Sequence, residues 1–121
     1  GGKLVAVVNH PAFRVPKSSD WYFDKELQKQ GRVVYKYRSN HAIKIDMNPG
    51  VKNPKLKVFT TTFHRPFEEY LNTFTKSGLT FSFMKEIYSN KVSEKGARKN
   101  IEDEARNEIP LFLMLEFVKT K

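Results

Sequence analysis

The sequence predicts a partial α/β domain whose sheet carries an inserted antiparallel β excursion. Three observations point there. Residues 4–8 and 111–115 are unbroken apolar runs, the pattern of strands covered on both faces. Residues 32–63 alternate apolar and polar side chains between turn residues. Phe67, Tyr70, Leu71 and Phe74 recur at helical spacing.

Taken in order, the chain opens on the run at 4–8, with no element before it. Such a strand normally lies inside a sheet, so the expectation is the back half of a larger domain. Residues 10–31 read as irregular, with Pro11, Pro16, Ser18, Ser19 and Gly31. Trp21, Tyr22 and Phe23 fall in this loop and need a core edge or a ligand to cover. In 32–38, Val33, Tyr35 and Tyr37 oppose Val34 and Lys36; in 42–47, Ile43 and Ile45 oppose Lys44 and Asp46. Ser39-Asn40-His41 reads as the hairpin turn between them. Asn48-Pro49-Gly50 and Asn53-Pro54 are further turns, and 56–63 is a third strand.

The clearest helix follows. Pro66 suits its first position, where a missing N–H costs nothing. Glu68 and Glu69 complement the positive end of the helix dipole. Lys76 sits near its end, and Gly78 can take the left-handed cap. Residues 79–83 then alternate as an edge strand would. Residues 97–108 read as a solvated helix ended by Ile109-Pro110, with Glu102-Asp103-Glu104 on its wet face.

Composition sets the outer bounds. The 121 residues suffice for one small domain, yet 39% hydrophobic content is low for a self-sufficient globule of this size. The absence of cysteine removes disulfides and thiolate chemistry. His10, His41 and His64 lack metal-ligand spacing. No apolar run approaches the roughly 20 residues of a membrane span. No secretion signal is seen, so the expectation is a cytoplasmic protein. Of 22 Lys and Arg and 13 Asp and Glu, twelve cations and four anions fall in residues 1–57. A basic half of this kind can steer an anionic ligand or nucleic acid, or can simply be a solvated surface.

The order of strand, long insert, helix, alternating strand and apolar strand resembles the C-terminal half of a class I S-adenosylmethionine-dependent methyltransferase, in a bacterial type 11-like subgroup. Three segments carry the likeness. The first is Gly1-Gly2-Lys3-Leu4-Val5 with Asn9-His10-Pro11-Ala12-Phe13-Arg14-Val15-Pro16. The second is Phe63-His64-Arg65-Pro66-Phe67 with Tyr70 and Gly78-Leu79. The third is Ile109-Pro110-Leu111-Phe112-Leu113. The resemblance implies a Rossmann-like sheet in which the final strand runs antiparallel between the first strand here and the strand from Leu79. It divides the chain into an inner strand at 1–9, an insert or lid at 10–63, and a helix, strand, helix and final strand at 64–121. The family's glycine-rich cofactor loop and the acidic residue that follows it do not occur here. The resemblance therefore implies that S-adenosylmethionine is held mainly by a missing N-terminal half. It also leaves the first strand with an open edge, which invites self-association.

Ligands of open α/β sheets lie beyond the carboxyl ends of parallel strands. Asn9, His10, Phe13 and Arg14 stand at such an end, and the resemblance places them beside the substrate. Alternatively, Asn9 and His10 satisfy backbone groups of the Pro11 turn. His64 could be a general base, since its reference pKa of about 6.5 lies near neutrality. It could equally be a turn histidine bonded to a carbonyl. Arg65 could clamp a substrate carboxylate or phosphate, or pair with Glu68 or Glu69. Trp21, Tyr22, Tyr35 and Tyr37 could form a water-excluding lid or a satellite core.

Three functions are therefore expected to compete. The first is methyl transfer to a small-molecule acceptor by the whole enzyme, with this chain inactive alone. The second is a basic nucleic-acid-binding module using Arg14, Lys17, Arg32, Lys36, Arg38 and Lys44. The third is an inactive remnant.

Overall fold

A computed structural model describes residues 2–119, which leaves the Gly1 end of the first motif outside the described residues. Seven strands and two α-helices follow one another: β1 (Lys3–Asn9), β2 (Ser19–Asp24), β3 (Lys29–Val34), β4 (His41–Asp46), β5 (Phe59–His64), α1 (Phe67–Lys76), β6 (Leu79–Ile87), α2 (Lys99–Glu108) and β7 (Phe112–Lys119). The fold is mixed α/β with antiparallel strand pairs.

The main sheet has the order β1-β7-β6, with β7 antiparallel to both neighbours. β1 and β6 consequently point the same way. Along β7 the side chains alternate, as the pleat requires. Leu113, Leu115 and Phe117 face the core and are fully buried. Helix α1 lays its apolar stripe on that face, where Phe67, Tyr70, Leu71 and Phe74 join Val8 and Leu79 around the three β7 residues. Phe74 and Phe117 meet with ring centroids 4.8 Å apart. Pro66 is the N-cap of α1, one position earlier than the sequence suggests, and Glu68 and Glu69 occupy the first turn. Gly78 ends the helix with φ of +90°, a conformation open to glycine and costly for other residues.

The opposite face of the sheet is bare. Val5, Val7 and Phe83 lie on it and are each at least half exposed. The expectation that residues 4–8 are covered on both faces is therefore corrected: β1 is an edge strand within this chain, and one of its faces meets solvent. The same holds in milder form for residues 111–115, where Leu113 and Leu115 are buried but Phe112 is exposed. The solvent-accessible surface of the whole chain is 8834 Å². A compact monomer of this mass exposes about 6,700 Å² by surface-to-mass scaling.

The insert is antiparallel β, but it pairs differently from the expectation. Residues 19–24 are not loop; they form β2 and pair with β3 around a turn at 25–28. Asp24 Oδ1 accepts the N–H groups of Glu26 and Leu27 there, both at 3.0 Å. The run from Arg32 stops at Val34, because Lys36 adopts φ of +56° and breaks the extended chain. β4 therefore pairs with β5 across the Asn48 and Asn53 turns, and residues 39–41 do not form a hairpin with 32–38.

Helix α2 packs on β3. Its Asp103 gathers a knot of contacts. Oδ1 accepts the Ser93 N–H at 2.8 Å and Arg106 Nη1–H at 3.2 Å, and Oδ2 accepts from Lys99 Nζ at 2.7 Å. The Lys99 hydrogen bond, seconded by the Ser93 N–H, holds the Asp103 carboxyl below the usual carboxylate range. A depressed folded-state value contributes stability above the unfolded value of about 3.9, lost as pH falls through the folded value. Asp103→Asn is expected to remove this acid-range loss of stability and to loosen the Ser93 loop. Denaturant unfolding of both proteins between neutral and acidic pH checks it: parallel pH profiles would refute the assignment.

Candidate functional site

β1, β6 and β7 are clamped together at one end. The His10 N–H donates to the Leu111 carbonyl and the Leu111 N–H to the Ile87 carbonyl, each at 2.9 Å. His10 adds a side-chain tie. Its Nδ1 accepts the Ala12 N–H at 3.3 Å, so the proton sits on Nε2 and is donated to Glu86 Oε2 at 2.7 Å. The ring is buried and stacks at 4.9 Å on Phe13. His10 thus braces the turn after β1, in keeping with the backbone role weighed for it.

Beyond the carboxyl end of β1 lies an open cavity of about 470 Å³. Its walls come from Asn9, the 14–17 turn, the β2–β3 hairpin, Ile45, Thr62 and Leu111. This is within the size range of small-molecule sites. The chain reaches it by a turn in which the Ser18 N–H donates to the Val15 carbonyl at 3.0 Å. Pro16 and Lys17 form the corner, and Lys17 has φ of +56°, a region L side chains rarely adopt. Val15 is fully buried beneath the turn.

Arg32 is the best-fixed charge in the cavity. It lies directly across the hairpin from Trp21, so the two side chains share a face. The guanidinium stands 4.9 Å from the indole ring. Its Nε–H donates to the Phe13 carbonyl and its Nη2–H to Ser19 Oγ, both at 3.0 Å. Arg14 approaches from the other side, with its guanidinium carbon 5.2 Å from the Phe112 ring. Burial, and then repulsion from Arg14, pull the Arg32 pKa below its ordinary value, with Asp20 opposing.

Of the residues expected beside a small-molecule substrate, Asn9, Arg14 and Trp21 line this cavity, and of those expected on nucleic acid, Arg14, Lys17 and Arg32 do. His10 and Phe13 are not among its lining residues, although the Phe13 carbonyl holds Arg32. Tyr22 points away, into neighbouring surface hollows with Phe23 and Val33. His64 and Arg65 are not among its lining residues. His64 is buried, and its Nε2–H donates to the Tyr37 carbonyl at 2.7 Å, while its ring stacks 5.1 Å from His41. Arg65 lies over the Phe63 ring at 5.8 Å and forms no ion pair among the described residues.

Lys17, Asp20 and Arg32 were not foreseen at a small-molecule site. The sequence signal that marks Arg32 is its alternation partner. Once 19–24 and 29–34 are read as a hairpin around the polar 25–28, Trp21 and Arg32 fall opposite one another.

No family model matches the chain, and no curated protein or solved structure does either. Among the described residues no helix is long and apolar enough to cross a membrane. Among the described residues, the glycine in a loop that leaves a sheet strand for a helix N-terminus is Gly96, alone between β6 and α2; Gly2 precedes β1, Gly31 is within β3, and Gly50 and Gly78 lie in turns elsewhere. A lone glycine is not the glycine-rich loop on which a dinucleotide pyrophosphate rests.

Glu86→Ala would strand the buried His10 Nε2–H, at about 1–3 kcal/mol for an unsatisfied buried donor. Glu86→Gln keeps an acceptor and is expected to recover most of the loss. Equal destabilisation by both variants in urea unfolding would show that the pair does not clamp the sheet end.

Proposed function

We propose that this chain is the acceptor side of an S-adenosylmethionine-dependent methyltransferase that acts on a small molecule. The observation that carries the reading is the sheet order. β7 runs antiparallel between β1 and β6, which point the same way, and a cavity opens past the carboxyl end of β1. That is the arrangement implied by resemblance to the C-terminal half of a Rossmann-like methyltransferase. The bare apolar face and the unpaired outer edge of β1 support the second part of the proposal. A further portion of the domain covers them in the working enzyme, and in its absence the edge promotes self-association.

In this reading the cofactor supplies the methyl group and is held by residues outside 2–119. The residues present bind and orient the acceptor. Asn9, Arg14 and Trp21 face it, Arg32 fixes the charge of the cavity, and the β2–β3 hairpin restricts water around it. We read His64 as a strut joining the Tyr37 segment to the start of α1, because its Nε2 proton is committed to a carbonyl. Arg65 stays outside the acceptor site. The competing nucleic-acid reading draws less support, since Arg14, Lys17 and Arg32 converge in a concavity instead of spreading along a groove.

Calorimetric titration with S-adenosylhomocysteine tests the proposal, using residues 1–121 and the complete product of the gene. Binding by the complete product alone is expected. Binding by neither would end the methyltransferase reading, and binding by residues 1–121 would contradict the placement of the cofactor outside them.

A further inference from the structure

We propose that the cavity beyond β1 is an anion subsite, and that its ligand is a small organic acid, a carboxylate or phosphate ester, whose charged end sits among Arg14, Lys17 and Arg32. The inference deepens the preceding reading by naming a substrate class. It rests on that reading only for calling the anion a substrate.

The charge balance of the cavity is the first ground. Three cations line it against one carboxylate, Asp20. Among the described residues none of the three cations has an acidic partner within ion-pair distance. Asp20 turns Oδ1 to the Trp21 N–H at 2.8 Å. Asp20 and Asp46 act through space on Arg32 and Lys17 but leave the cluster net positive, and a bound anion offsets the repulsion that remains.

Preorganisation is the second ground. Arg32 is held by the Phe13 carbonyl, Ser19 Oγ and the Trp21 ring, and its Nη1–H groups make no hydrogen bond among the described residues. A planar donor fork fixed in this way suits a carboxylate or phosphate. Lys17 is presented at the rim by a backbone conformation its own side chain disfavours.

The walls are the third ground. Val15, Pro16, Ile45, Leu111 and Trp21 give the cavity apolar lining beside the cations. An anion with a compact apolar body fits both, whereas inorganic phosphate would leave the apolar lining unused.

Trp21 lines the cavity and is the sole tryptophan of the chain, so its emission reports occupancy directly. The probes are cyclohexanecarboxylate, cyclohexyl phosphate and their neutral partner cyclohexanecarboxamide, titrated into residues 1–121 with excitation at the red edge of the indole band. The anions are expected to bind at least about 10-fold more tightly than the amide, as charge-assisted hydrogen bonds do against neutral ones. The tighter of the two anions identifies the charged group. Arg14→Gln and Lys17→Gly are each expected to weaken anion binding by about 5-fold or more and to leave amide binding unchanged. Lys17→Gly relieves the positive φ, which offsets the entropy a glycine adds to the unfolded chain.

Equal affinity for amide and anions would overturn the proposal. So would unchanged anion affinity in both variants, absence of any response, or displacement of the anions by a single-stranded oligonucleotide that binds more tightly. Because no probe involves the cofactor, this outcome is separate from that of the calorimetry. Anion binding can survive the loss of the methyltransferase reading, and the reverse also holds.

Discussion

The double pairing of β7 is the constraint on which the rest of the structure depends. It is the one strand of the main sheet with a neighbour on each side. Its inward residues Phe117, Leu113 and Leu115 are the three largest fully buried side chains among the described residues. Helix α1 has no other apolar surface of that depth to cover. β7 also sets where its neighbours end, because the Leu111 backbone just before it joins His10 after β1 to Ile87 at the end of β6. The sheet end, the His10–Glu86 pair and the mouth of the cavity are therefore one mechanical unit.

From that end the chain builds charge outward. The turn at Val15–Ser18 lifts Lys17 to the rim, and the β2–β3 hairpin brings Arg32 across to Arg14. The insert hangs from the sheet through few contacts, and its two strand pairs belong to separate small sheets. A sheet platform carrying a basic cover in which Arg32 is held in place suits capture of a small acid better than reading of a long polymer. The bare side of the platform makes the opposite demand. Apolar residues such as Val5, Val7 and Phe83 are arranged to be covered, and this chain does not cover them.

Local signals in the sequence were legible where they act within one element. The spacing of Phe67, Tyr70, Leu71 and Phe74 and the glycine at 78 placed α1 to within a residue or two. The apolar runs located β1 and β7, although they overstated their burial. An apolar run records what a strand is suited to bury, and coverage depends on what else is present. Strand pairing was not legible. Residues 32–38 alternate throughout, but Lys36 at positive φ ends β3, a backbone event that side-chain alternation does not reveal. Trp21, Tyr22 and Phe23 looked like loop aromatics because residues 25–28 lack glycine and proline, and the Asp24 carboxylate closes that turn instead. With the hairpin unseen, the Trp21–Arg32 pairing was unseen too, and with it the positive side of the cavity.

Amide hydrogen exchange followed residue by residue tests the central role of β7 most directly. Amides of β7, above all Leu113, Leu115 and Phe117, should exchange most slowly, with β1 and β6 next and the β2–β3 and β4–β5 pairs fastest. Protection of the β4–β5 pair equal to or greater than that of β7 would contradict the view that the sheet, through this strand, organises the molecule and its cavity.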